Sequence, residues 1–382
     1  MHDPAAWLEG KTVEMEQAIR RLVEINSFTD NVEGGRAVGQ VLRDETFAIP
    51  GIASTVRKST RFADHVLFAS NAAGDRAPIA LVGHLDTVFP PGTFEGYRRD
   101  GGLARGPGVL DMKGGLVVIA YAIRAVAETV GLDAIRPLRL AVVADEEVGS
   151  PEGAKWIGEH VLGSACALVF EAGRTTDAII TRRKGTGAMT ASASGRAAHA
   201  GANHKDGANA IWALARFVDR AQQVTDYDRG ITVNVGKITG GQGKNTVPDA
   251  AEALLDLRYC TSADGELLVS KLGEAAAAAG ADVPGTEVRL EGGIARLPLE
   301  RTDASAALMG AYAECARAFG LGADEAPLIG GGSDASTTSA LGIPSIDGLG
   351  PRGRGFHTKD EQIEVATLVP KAQALARFLT TF

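Results

Sequence analysis

Seven side chains, scattered from residue 84 to residue 357, could act together as one site: His84, Asp86, Asp111, Glu146, Glu147, Glu171 and His357. They stand in His84-Leu-Asp86-Thr-Val, Gly108-Val-Leu-Asp111-Met-Lys-Gly-Gly, Asp145-Glu146-Glu147-Val-Gly-Ser and Gly355-Phe-His357. Of these, His84, Asp111, Glu147, Glu171 and His357 read as metal ligands. Two imidazoles and three carboxylates can hold two divalent ions if one carboxylate bridges. Two ions a few ångströms apart are a device for hydrolysing unreactive bonds. The chemistry this set points to is hydrolysis of an amide or peptide.

Such a site needs elements that deliver its ligands to one place. Ile79 to Gly83, Leu138 to Ala144, Ala167 to Phe170 and Pro344 to Ile346 read as apolar strands. Val13 to Ile25, Met112 to Val130 and Ala304 to Phe319 read as helices by their apolar spacing. Continuous apolar strands separated by helices predict an α/β fold, a mainly parallel sheet with helices on both faces. His84, the acidic triplet and Glu171 each follow such a strand, at the carboxyl ends where parallel sheets place their sites. Positions i and i+2 of extended backbone face one side. Asp86 can therefore orient the second ring nitrogen of His84.

Each residue also has a plain reading. A lone histidine is usually a surface or core residue, a lone aspartate before a helix usually caps it, and adjacent acids are usually solvated turn residues. Their joint placement at strand ends and glycine turns makes the functional reading the better one.

Between Lys184 and Gly293 the texture changes. Met189 to Ser194 and Thr232 to Ile238 alternate, Ala253 to Tyr259 reads as a strand, and Asn209 to Ala221 and Ala263 to Ala279 read as helices. This predicts a smaller inserted α+β domain, an antiparallel sheet backed by two helices, over 184–293. Residues 1–183 and 294–382 then form one discontinuous catalytic domain. The alanine run Ala275 to Ala279 reads as an exposed helix end stopped by Gly280.

The chain has 382 residues and a net charge of -8, with no long basic run, so nucleic acid is not an expected partner. No stretch is long and apolar enough to span a membrane. The start, Met1-His2-Asp3-Pro4, does not read as a signal peptide. Three cysteines, Cys166, Cys260 and Cys315, read as free thiols in a reducing compartment, so the expected location is cytoplasmic. Gly10-Lys11-Thr12 is not a phosphate loop and Gly106-Pro-Gly108 lacks the third glycine of a dinucleotide turn. Gly330-Gly-Gly-Ser-Asp334 is not a serine-hydrolase elbow.

At these residues the sequence closely resembles the dinuclear zinc exopeptidases and amidohydrolases. That family includes folate-cleaving glutamate carboxypeptidase, acetylornithine deacetylase and succinyl-diaminopimelate desuccinylase. The resemblance implies two Zn2+ per subunit, with Co2+ or Mn2+ as possible substitutes. It assigns His84 and Glu171 to one ion, Glu147 and His357 to the other, Asp111 to the bridge, Glu146 to the general base and Asp86 to orienting His84. It further implies a homodimer through the inserted dimerisation or lid domain, and an oxyanion-binding role for His199 in Gly195-Arg-Ala-Ala-His199. Asn245 in Gly243-Lys-Asn245-Thr-Val-Pro is similar to a substrate-binding loop, as is the turn Gly331-Gly332-Ser333. Arg258 and Arg296 are candidates to hold a substrate carboxylate, since guanidinium binds carboxylate bidentately.

The expected function is a zinc-dependent metallo-carboxypeptidase or amidohydrolase. It would cleave a small N-acyl amino acid or short peptide next to a free carboxylate, with a glutamate-type terminal residue favoured. Glutamate at 171, where dipeptidase and tripeptidase branches use aspartate, supports the carboxypeptidase and deacylase side. Ala172-Gly173-Arg174 and Ala295-Arg296-Leu297-Pro298 depart from the glutamate carboxypeptidase pattern. An N-acyl-amino-acid deacylase, such as an acetylornithine deacetylase, is the alternative. A catalytically silent binding protein is the remaining one, and it would not need Glu146.

Overall fold

Ile79-Ala-Leu-Val-Gly-His84 is buried along its whole length, as a strand covered on both faces must be. In the computed structural model, which describes residues 3–70 and 76–382, it lies inside a mixed six-stranded sheet. The order is Ile52–Arg57, His65–Ser70, Leu138–Val143, Ile79–His84, Cys166–Val169, Ser345–Ile346. The last four strands run parallel, and the first two add antiparallel at one edge. The chain divides into two compact units. Unit 1 comprises Met1–Arg182, Arg301–Leu328 and Ser333–Phe382, and unit 2 comprises Arg183–Glu300 and Ile329–Gly332.

Unit 1 holds the six-stranded sheet. Ile79, Leu81, Leu138, Leu140 and Val142 join a core with the helices Thr12–Val23, Lys113–Thr129 and Leu368–Thr381. On the opposite face, the helix Gly153–Val161 begins against Val143, where an added Cβ on Gly153 would lie 2.9 Å from the valine. Helices thus cover both faces. Gly115, in the first turn of Lys113–Thr129, lies so close to the Phe170 carbonyl that a Cβ would stand 2.1 Å from the oxygen. This close approach draws the Asp111 loop to the strand end that carries Glu171.

Unit 2 is an antiparallel sheet in the order Thr232–Gly240, Ala250–Tyr259, Gly185–Ser194, Glu287–Arg296. Every second residue of Gly185–Ser194 is buried, against the helices Ala210–Gln222 and Ser262–Asp282. The strand Glu287–Arg296 runs through the expected boundary at Gly293, and unit 2 continues to Glu300. The alanine run is not an exposed helix end. Ala275, Ala276 and Ala279 are buried, and the helix continues through Gly280 to Asp282. The small side chains admit the neighbouring strand, so the run is a packing face.

Unit 1 also buries an ion cluster. Asp177, 2% exposed, pairs with Arg352 and with Lys371 Nζ at 3.3 Å. Burial alone would raise the Asp177 carboxyl, but Arg352 and Lys371 outweigh it and hold it below its ordinary range. Its contribution to stability is therefore present above the unfolded carboxylate value of about 3.9 and is lost as pH falls through the lower folded value. Asp177→Asn leaves the Lys371 ammonium buried without its counter-charge. A loss of about 3–5 kcal/mol is expected in denaturant unfolding at neutral pH. A loss under about 1 kcal/mol, the range of an exposed pair, would refute this reading.

Candidate metal centre

Asp111 lies between two imidazoles. Its Oδ1 is 3.3 Å from His84 Nε2 and its Oδ2 is 3.3 Å from His357 Nε2. Each imidazole has a further carboxylate: Glu171 Oε2 lies 3.6 Å from His84 Nε2, and Glu147 Oε2 lies 3.0 Å from His357 Nε2. The result is two histidine–glutamate pairs sharing one aspartate. Donor atoms of His84, Glu146 and Glu171 lie within 4.8 Å of one another, as do those of His84, Asp111 and Glu147.

Local chain geometry explains this convergence. His84 ends its strand, Glu171 follows Phe170 after the neighbouring strand, and Glu146-Glu147 begin a short 3-10 turn after Leu138–Val143. Asp111 precedes the helix Lys113–Thr129 and makes no helix-capping bond, so the plain reading of that residue does not hold. His357 sits in the left-handed region at φ 62° in the turn of a hairpin formed by Gly353–Arg354 and Gln362–Glu364.

Asp86 does more than orient His84. Its Oδ1 lies 3.3 Å from His84 Nδ1 and accepts the Glu146 N–H at 3.2 Å. Its Oδ2 accepts the Glu147 N–H at 3.2 Å and the Thr29 hydroxyl at 2.8 Å. One buried carboxylate thus joins the histidine to the acidic turn.

The electrostatics express an excess of buried negative charge. Burial pushes the Glu147 carboxyl up to about 7, with Asp111 adding to the rise. Burial likewise drives Glu171 well above its ordinary range. Hydrogen bonds to Asp111 and Glu147 raise His357 to about 10. Burial opposes protonation of His84, but Glu171 and Asp111 outweigh it and raise that imidazole as well. Glu171 Oε1 is buried with no hydrogen-bond partner among the described residues. An orphaned carboxylate oxygen, two aligned imidazoles and surplus negative charge fit divalent cations, and imidazole with carboxylate is a donor set that suits zinc.

The family model for Peptidase family M20/M25/M40 matches residues 80–381, which span all these ligands. The chain belongs to this family. It is a metal-dependent hydrolase. Carboxypeptidase G2 of Pseudomonas is 27% identical over 371 residues, 95% of this chain and 88% of that protein. An acetylornithine deacetylase of Myxococcus xanthus is 31% identical, with 83% of each chain covered. The aminopeptidase PepT of Bacillus cereus has the same fold, with a TM-score of 0.82 at 22% identity over 97% of this chain and 98% of its own.

In this M20 chain the remaining expected site residues divide by unit. Within unit 2, a two-stranded ladder pairs Thr246 with His199, and Ala200 N–H donates to the Asn245 carbonyl at 3.0 Å. His199 and Asn245 are therefore neighbours, both exposed. The Gly201 and Ala202 N–H groups donate to His199 Nδ1 at 3.1 and 3.0 Å, which places the neutral ring's proton on Nε2. Arg296 lies over Gly332, where a Cβ would stand 2.7 Å from the arginine Cδ.

Two expectations need correction. Arg258 is already paired along its own strand: its Nε and Nη2 both donate to the Asp256 carboxylate at 2.9 Å. Ser333 is 1% exposed and donates its hydroxyl to Asp347 Oδ2 at 2.6 Å, so it braces a turn. Sequence reasoning missed Thr29, Glu361, and the pair Ser150–Asp334 that ties down the acidic turn at 2.7 Å. Glu361 has a usable signal, since it lies four residues after His357; Thr29 and Asp334 have none outside the fold.

Asp86→Ala is expected to weaken zinc binding by about 10–100-fold, as removal of a histidine-orienting carboxylate does elsewhere. Competition with a chromophoric chelator measures this. Unchanged affinity would show that the acidic turn and His84 hold their places without it.

Proposed function

We propose that this chain is a zinc-dependent exopeptidase or amidohydrolase that cleaves an amide next to a free carboxylate. The observation that carries the proposal is Asp111, with one carboxylate oxygen directed to each of two imidazoles that have carboxylates of their own. His84 and Glu171 would hold one zinc, Glu147 and His357 the other, and Asp111 would bridge them. When bound, such a pair makes water acidic near neutral pH and polarises the scissile carbonyl.

The protein's own groups do the rest. Glu146 takes a proton from the attacking water and delivers it to the leaving nitrogen. Asp86 fixes the backbone of that base and the ring of His84 at once. The family resemblance further assigns His199 to the oxyanion and Asn245 to the acyl side, and Arg296 is the candidate for the substrate carboxylate.

A glutamate-type terminal residue is the favoured leaving group by the resemblance to glutamate carboxypeptidases, and the likeness to carboxypeptidase G2 supports release of a carboxyl-terminal residue. A deacylase is the second reading, favoured by the Ala172-Gly173-Arg174 departure and by the likeness to acetylornithine deacetylase. The proposal includes a homodimer in a reducing, cytoplasmic setting. The support for the dimer is an edge strand, Thr232–Gly240, with Ile238 exposed, and exposed Trp212 in unit 2. No helix of the described residues is long and apolar enough to cross a membrane.

Glu146→Gln is expected to lower kcat by about 100-fold or more while both metals stay bound. Loss of metal instead would exchange the roles of Glu146 and Glu147. Arg296→Ala is expected to raise KM for carboxylate-bearing substrates; an unchanged kcat/KM would remove the carboxylate requirement. Chelator-sensitive release of glutamate from peptidyl-glutamate donors supports the carboxypeptidase, and release only from other acyl amino acids supports the deacylase.

A further inference from the structure

Glu361 is fully buried, and no step of the proposed reaction uses it. A buried carboxylate is costly unless its oxygens are satisfied. Among the described residues, the hydrogen bonds of its carboxylate all go to one loop. Oε1 accepts the N–H of Leu110 at 2.8 Å and of Asp111 at 3.0 Å, and Oε2 accepts the N–H of Gly108 at 3.1 Å. These are backbone groups of the segment that presents Asp111. Gly108 turns in the left-handed region at φ 75°, which points its N–H into the same cradle as the next two donors.

The residue comes from the turn that carries His357. That turn is tight: Thr358 N–H donates to the Gly355 carbonyl at 3.0 Å and Glu361 N–H to the Thr358 carbonyl at 3.1 Å. Its strand Gln362–Glu364 pairs with Leu103–Arg105, which leads into the Asp111 loop. The two loops are therefore tied at their base by a strand ladder and again at their tips by one carboxylate. His357 Nε2 then meets Asp111 Oδ2 at 3.3 Å.

We infer that Glu361 is a further positioning residue of the centre: by clamping the Gly108–Asp111 backbone to the His357 turn, it sets the bridging carboxylate and one terminal imidazole in register. Glutamine cannot replace it, because an amide offers one acceptor oxygen where three N–H groups need two. The shared position of Asp111 means that displacing it affects both halves of the site.

This inference rests on the dinuclear reading of the site, and the test separates the two. Full-length metal-free protein is titrated with zinc against a chromophoric chelator, and bound metal is counted by elemental analysis. Wild type is expected to bind two zinc ions. Glu361→Gln is expected to bind at least one of them about tenfold or more weakly, in the range for groups behind metal ligands. Its kcat is expected to recover at saturating zinc, and its cobalt form to show an altered visible spectrum. Glu361→Asp, which keeps both carboxyl oxygens but shortens the arm, is expected to be weakened less than the glutamine variant. If Glu361→Gln does not fold by circular dichroism, the aspartate variant decides by the same titration, a loss of more than twofold being expected. Two zinc ions bound within twofold of wild type by every folded variant would overturn the positioning role. Fewer than two zinc ions on wild type would instead overturn the dinuclear reading, and the Glu361 inference with it.

Discussion

The structure around the site depends on one constraint: Asp111 must stay buried and charged between His84 and His357. Carboxylates repel one another at close range, and this region gathers Asp111, Glu146, Glu147 and Glu171 around two imidazoles. Nothing in packing alone favours such a gathering. It is held by groups that commit their own bonding capacity to it: Asp86 on the acidic turn, Glu361 on the Asp111 loop, and the glycine contact that draws the helix Lys113–Thr129 to Phe170. The surplus charge has its natural counterpart in divalent cations, and the chemistry of the family follows from it.

Much of this was legible in the sequence. The central strands are apolar throughout because both faces are covered, and their carboxyl ends carry His84, Glu146-Glu147 and Glu171. Chemistry at a strand end is readable because strand and ligand are adjacent in the chain. Glu361 and Thr29 escape a reading of local sequence, because their partners lie 250 and 57 residues away. Ile52–Arg57 was missed for another reason. It is an exposed edge strand, and its side chains carry no burial pattern.

Misreadings came from residues whose type fits two roles. Arg258 has the right group for a substrate carboxylate, yet Asp256 two residues earlier on the same strand occupies it. Ser333 adjoins the glycine turn but faces inward to Asp347. The alanine run has no large side chain to mark a buried face, and its small size is what allows the sheet to pack there. Local sequence gives residue type and spacing; which neighbour claims a polar group is settled by the fold.

The most direct measurement is anomalous X-ray diffraction from crystals of the zinc-loaded protein at the zinc edge. A dinuclear centre is expected to give two peaks with the Asp111 carboxylate between them, Oδ1 toward the ion held by His84 and Glu171 and Oδ2 toward the ion held by Glu147 and His357. A single peak, or two peaks with Asp111 outside both coordination shells, would contradict it.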